Sequence, residues 1–296
     1  MKVGTCSWAD PTLVASGWYP RDAAKDADRR LRYYASIFPL VELDSSYYAI
    51  PDPVQVARWA ERTPDGFTMN VKAFASLTGH PAEVARLPRE IRESLPAAAA
   101  AKRRIYPKDL PAALLEEVHA RFWVALEPLR RAGKLGAVLL QLPEWVGPSS
   151  ASRAAILRAR ELLPDDRLAI EFRNGAWLED RERPETLGFL RDHDLTYVAV
   201  DEPQGFRSSV PPVAVVTAPA LALVRFHGRN AETWKAPGLT AAERFDYAYA
   251  RAELEEWLPR VRHLAGAARE VHLLMNYCNG DKAVRNAAEL SAMLSS

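Results

Sequence analysis

Eight short apolar, β-prone runs recur along the chain, with a helix-patterned stretch following each, and this alternation constrains the fold more than any other feature. The runs are Lys2–Trp8, Leu40–Tyr48, Phe67–Ala73, Leu135–Leu142, Arg167–Arg173, Thr196–Asp201, Leu221–Gly228 and Glu270–Asn276, each bounded by Pro, Gly, Asn or Asp. Between them, Asp28–Phe38 places Leu31, Tyr34, Ala35 and Phe38 on one stripe, and Asp52-Pro53 opens a helix to about Glu61. Helices are also predicted over Leu110–Ala132, Ser150–Leu163 and Pro184–His193. Another runs from the Thr240…Glu243 capping box toward His263, bent at Pro259, and a last one from an Asp281 cap to about Leu294. Strand–helix alternation of this length predicts parallel strands, and eight such units predict an α/β fold with a closed (β/α)8 TIM-type barrel. No strand leads into G-x-G-x-x-G or G-K-[ST], which weighs against an open doubly wound sheet.

A single barrel domain over residues 1–296 is expected, because one barrel uses this length. The connection at residues 74–111 is about one element too long, and a helical insertion is expected there as a flap over the barrel mouth. It holds a predicted helix (Pro81–Ser94), an alanine run (Ala97–Ala101) and the basic cluster Lys102, Arg103, Arg104 and Lys108. Net charge is +1 (39 − 38), so no global field draws the chain to nucleic acid or anionic membrane. Two cysteines build no disulfide scaffold, and no apolar leader follows Met1-Lys2, so a cytoplasmic setting is expected. The apolar stretch Val210–Phe226 is broken by Pro211, Pro212 and Pro219, and no membrane span is expected.

Chemistry on such a barrel sits where strands hand over to the following loops, and strand parity selects the groups that share the mouth. The second strand offers Glu42 and Asp44, the third Asn70 and Lys72, the fourth Gln141 and the fifth Glu171 and Arg173. The sixth offers Asp201, the seventh Arg225 and His227, and the eighth Asn276. Charges inside apolar strands each cost several kcal/mol unless paired, so about four carboxylates and three fixed cations must form a compensated network. Clustered at one end, they point to a ligand site.

Several segments in this order carry a resemblance: Gly4-Thr5-Cys6-Ser7-Trp8, Val41-Glu42-Leu43-Asp44-Ser45-Ser46-Tyr47-Tyr48, Thr78-Gly79-His80, Gln141-Leu142-Pro143, Ile170-Glu171-Phe172-Arg173-Asn174-Gly175-Ala176-Trp177 and Val224-Arg225-Phe226-His227-Gly228-Arg229-Asn230. Across the whole chain they resemble the YecE-like family, a bacterial and archaeal domain of unknown function. The resemblance implies a TIM-type barrel and supplies no reaction. Where Asn-Asn is expected after the last strand, this chain has Asn276-Tyr277.

Four chemistries suit these residues. Arg225, Arg229 and Lys72, with Asn230 and the Asn279-Gly280-Asp281 turn, would bind a small phosphorylated or carboxylated anion. Glu171, Asp201 and His227 would move protons, as hydrolase or lyase chemistry requires. His80, Glu171, Asp201 and His227 form the ligand set for a divalent metal, although no cofactor is required; the flap would then hold nucleic acid for a metal-dependent phosphodiesterase. Lys72 would serve a Schiff-base route, with a salt bridge to Glu42 or Asp44 the simpler account. Gln141 and Asn276 would orient polar substrate groups, Arg173 would add charge, and Trp8, Tyr48 and Trp177 would stack on a ring. Cys6 and Cys278, near the ends of the first and last strands, read as two unrelated thiols rather than a redox pair. A non-catalytic ligand-binding barrel is the remaining alternative.

Overall fold

A computed structural model describes residues 1–277 and 279–295, so Cys278 lies outside the described residues. Its strands are β1 (Lys2–Thr5), β2 (Leu40–Leu43), β3 (Thr68–Lys72), β4 (Leu135–Gln141), β5 (Leu168–Glu171), β6 (Thr196–Asp201), β7 (Leu221–Phe226) and β8 (Glu270–Met275). They close in sequence order into one all-parallel barrel, with β8 pairing back onto β1, so the eight predicted runs all become staves. Helices cover the outward face of the strands and the barrel interior buries the inward face, which is why the strand interiors read as continuous apolar runs.

The principal outer helices are α1 (Ala27–Ile37), α2 (Pro53–Arg62), α3 (Ala112–Ala125), α4 (Ser150–Leu162), α5 (Arg183–Asp192), α6 (Leu258–Ala267) and α7 (Lys282–Ser295). Local chemistry sets their ends. Asp26 caps α1 through the amides of Asp28 and Arg29, and Asp52 caps α2 through Val54 with Pro53 in the first turn. The carbonyls of Ala60 and Thr63 at the end of α2 receive the buried Lys134 ammonium, each at 2.6 Å.

The β1–β2 seam has only two register pairs, Gly4↔Leu40 and Thr5↔Val41. Tyr34 of α1 reinforces it: its hydroxyl accepts from the Thr5 amide at 2.8 Å and donates to the Leu40 carbonyl at 3.0 Å. Gly4 is required here, because any Cβ would overlap the Leu40 carbonyl oxygen.

Three predicted helices are corrected. The predicted helix Pro81–Ser94 is helical only over Arg89–Glu93; Ala82–Glu83 instead pairs antiparallel with Arg104–Ile105, and Pro88 starts the helix late. The basic cluster on this insertion is partly paired: Lys102 meets Asp109 at 2.9 Å, and Glu83 receives Arg103 at 3.8 Å and Arg104 at 3.2 Å as well as Arg86, while Lys108 lies over the Tyr106 ring. The helix predicted from Thr240 to His263 is three pieces, Ala241–Arg244, Arg251–Glu255 and α6, with Pro259 in the first turn of the last. The break at residues 245–250 lets Tyr249 turn its hydroxyl onto Asp201. Likewise Leu110–Ala132 divides at Leu126, two residues before Pro128. Among the described residues, no helix is long and apolar enough to cross a membrane.

Candidate active site

Register decides which strand-end groups point inward. Arg225 on β7 stands beside Val200 on β6 and Leu274 on β8, while Glu42 stands beside Asn70 and Glu171 beside Gln141. Arg225, Glu42 and Glu171 are all fully buried. One guanidinium holds both carboxylates: Arg225 Nη1 donates to Glu171 Oε2 at 2.5 Å and Nη2 to Glu42 Oε1 at 2.6 Å. Cys6 Sγ lies 3.7 Å from the same Nη2, and burial, with Glu42 alongside, pushes its thiol well up.

The two carboxylates differ. Glu171 Oε1 accepts from Gln141 Nε2 at 2.8 Å and lies 3.6 Å from Arg173 Nη1. Burial alone would raise this carboxyl, but Arg225, then His227 and Arg173, outweigh it and hold it well below the usual range. Burial, with Asp44 nearby, outweighs the attraction of Arg225 and the weaker help of Lys72 and the Cys6 thiol, and raises Glu42 to about 7. In the wider cluster, Arg225, Arg173 and Lys72 face Glu42, Asp44, Glu171 and Glu202, three cations against four carboxylates, and burial raises Glu202 as well as Glu42.

His227 lies 3.1 Å from Glu171 Oε1 through Nε2, without a well-directed hydrogen bond, and Nδ1 is 2.8 Å from Asn276 Nδ2. Burial lowers this imidazole to about 4, so it is neutral at pH 7. Asn276 Nδ2, as placed, donates to Nδ1, leaving the ring proton on Nε2 facing Glu171.

Above this floor opens a cavity of about 750 Å³ lined by Glu42, Asp44, Lys72, Gln141, Arg173, His227 and Asn276, with Trp8, Tyr47, Tyr48, Trp59 and Phe245 around it. Lys72 Nζ is 3.6 Å from Asp44 Oδ1 and 4.9 Å from the Tyr47 ring centre, so the carboxylate pairing is the observed one. Arg173 Nη1 donates to Glu202 Oε2 at 2.6 Å, and its guanidinium lies over Trp234. Two buried oxygens here have no hydrogen-bond partner, Glu42 Oε2 and Asp44 Oδ1. Trp8 is packed edge-on against Trp59, whereas Tyr48 is largely exposed.

Other predicted site residues lie elsewhere. Asp201 is next to Phe226, the outward neighbour of Arg225, so its carboxylate faces the helix layer. There it accepts Arg229 Nε and Nη2, Tyr249 Oη at 2.7 Å and Trp257 Nε1 at 2.5 Å. Arg229 is thereby taken up, with Glu256 at 2.9 Å as a second partner, and Asn230 caps a short helix through Thr233. Gly228 before them adopts φ 84°, and a Cβ would meet Tyr247 at 2.7 Å. Trp177 is fully buried, stacked on Phe172 with Nε1 bonded to the Val146 carbonyl. The turn before α7 is likewise committed: Gly280 N donates to Thr12, and Asp281 pairs with Arg285.

His80 sits in the loop after β3, bonded to Thr78 Oγ1 and edge-on to Tyr47 and Trp145; burial lowers it to about 4. The predicted metal set of His80, Glu171, Asp201 and His227 is thus not assembled, since Asp201 faces outward. Among the described residues, no three His, Cys, Asp or Glu side chains are grouped to hold a metal ion.

Sequence reasoning missed Glu202, which also accepts the Val210 amide at 2.8 Å, and Trp59, which comes from α2. Neither lies within a strand, so parity gave no signal for them.

Glu42 makes a pH prediction. With a folded value near 7 against an ordinary 4.5, its contribution to stability is complete below pH 4.5 and lost as pH rises through about 7. The melting temperature of Glu42→Gln is therefore expected to fall less than that of wild type between about pH 5 and pH 8. Parallel curves would exclude a raised Glu42.

Comparison with known proteins covers the whole molecule. The chain is 30% identical to the UPF0759 protein YunF of Bacillus subtilis over 295 residues, 99% of this chain and 94% of that protein. It is similar in structure to a DUF72 family protein from Enterococcus faecalis (TM-score 0.75, 27% identity, 100% of this chain and 97% of the other). A DUF72 family protein from Thermotoga maritima is similar too (TM-score 0.77, 27% identity, 100% and 99% of the two chains). The model of the family described as protein of unknown function DUF72 matches residues 2–296, and the chain belongs to that family.

Proposed function

We propose that this barrel is an enzyme that transfers protons to and from a small carboxylated or phosphorylated substrate in the cavity, as a hydrolase or lyase. The observation carrying this reading is the single guanidinium of Arg225 between two fully buried carboxylates, of which Glu42 is raised to about 7 and Glu171 is held well below the usual range. A carboxyl raised toward neutrality at a cavity wall is poised to give up its proton, and the ionised Glu171 on the far side of Arg225 fixes the guanidinium that holds it. Glu42, near neutrality and lining the cavity, is the proton donor; Asp44, two residues on and partly exposed, is the acceptor. Glu171, His227 and Gln141 are positioning residues that fix Arg225 and hence Glu42. Lys72 and Arg173 receive the substrate's charge, and Asn276 orients it. Asp201 and Arg229 have no part in the chemistry.

The test is a thermal-shift panel of carboxylated and phosphorylated metabolites, followed by turnover of any that stabilise the protein. At least one anion is expected to raise the melting temperature, with the rise lost in Lys72→Met. Turnover of that compound should fall by about 10²–10⁴ in Glu42→Gln. Stabilisation indifferent to Lys72→Met, or full turnover in Glu42→Gln, would overturn the proposal. A nucleic-acid partner is not favoured: the net charge is +1, and Lys102, Arg103 and Arg104 of the flap are already paired with Asp109 and Glu83.

A further inference from the structure

The cavity wall has acceptors waiting for donors. Glu42 Oε2 and Asp44 Oδ1 are buried oxygens without hydrogen bonds, and both residues line the cavity. Asp44 Oδ1 has Lys72 Nζ and Arg225 Nη2 each at 3.6 Å, close enough for charge but beyond hydrogen-bonding reach. Buried polar atoms are nearly always satisfied by protein, water or ligand, so these two mark where ligand groups belong. An ammonium ligand only donates, whereas a carboxyl that exchanges its proton near neutrality needs a partner that both donates and accepts. Hydroxyl groups meet both needs. Tyr47 and Trp8 add apolar surface for a carbon skeleton.

Charge selects the acidic end. Arg173 and Lys72 are each already balanced by one carboxylate, Glu202 and Asp44. With the cluster one carboxylate in excess, a monoanion is accommodated more readily than a phosphate dianion.

We propose that the substrate class is a polyhydroxylated carboxylic acid, its carboxylate toward Arg173 and Lys72 and its hydroxyls on Glu42 Oε2 and Asp44 Oδ1. This rests on the acid–base reading above and narrows its substrate.

Three probes separate the parts: gluconate, hexanoate (the same chain and carboxylate without hydroxyls) and sorbitol (the hydroxyls without the acid). Gluconate is expected to raise the melting temperature and bind about tenfold or more tighter than either of the others, since a site built to hydrogen-bond hydroxyls rejects an analogue lacking them. Asp44→Ala should erase its margin over hexanoate, and Lys72→Met its margin over sorbitol. Hexanoate binding as well as gluconate overturns the hydroxyl inference and leaves the anion reading standing. Sorbitol binding as well as gluconate overturns the anion reading itself, and with it the acid proposed here. Binding of none of the three overturns the assignment of polyhydroxylated acids to this cavity.

Discussion

Replacing Arg225 by methionine is expected to destabilise the protein by about 3–5 kcal/mol, the usual consequence of removing one partner from a buried ionic group. The reason is specific to this interior. Glu42 and Glu171 are both fully buried and both bonded to the same guanidinium, so the substitution leaves two carboxyl groups facing each other without a cation. Glu42 has its raised value to fall back on and takes up a proton; Glu171, ionised in the wild type, has to follow at a cost. A loss of that size lowers the melting temperature by on the order of 10 °C. Adding Glu171→Gln to the Arg225→Met background should recover part of it, because the uncompensated charge is then gone. An Arg225→Met protein that melts with wild type would show that the triad contributes nothing to the fold.

The second large effect is expected at a residue the sequence marks for catalysis and the structure places elsewhere. Asp201→Ala removes the acceptor of Arg229, Tyr249 and Trp257 at a position only 3% exposed, and should cost about 3 kcal/mol or more. The difference in pH dependence between wild type and Glu42→Gln should persist in this background, because Asp201 faces away from Glu42. Thermal unfolding across pH, with and without Asp201→Ala, checks both statements. Unchanged stability, or loss of the Glu42 signature, would bring Asp201 back into the site.

Asp201 also shows how far this structure could be read from the sequence. The eight staves were legible because parallel strands under helices are apolar on both faces and end at Pro, Gly, Asn or Asp. Helix starts were legible where a cap and proline coincide, as at Asp52-Pro53. Which end residues share the interior was legible within one strand, as for Arg225 with His227 or Glu42 with Asp44. Between strands it depends on register, which local sequence does not encode: Val200, not Asp201, stands beside Arg225. Trp177 and Arg229 lie past strand ends, where the chain bends and alternation lapses. The insertion failed as a helix because Pro88 delays its start and the flanking segments pair with each other as a hairpin.

The wall of the barrel is not uniformly secured. Where β1 meets β2 only two residue pairs join, and a phenolic hydroxyl from the helix layer bridges the gap. Only two pairs also join β5 to β6, Ala169↔Thr196 and Ile170↔Tyr197, so the ring has two thin seams where local unfolding can begin, and parting at the first stave would bring solvent to Cys6 and Glu42. Groups that give the interior its chemistry thus stand beside one of its two thinnest seams.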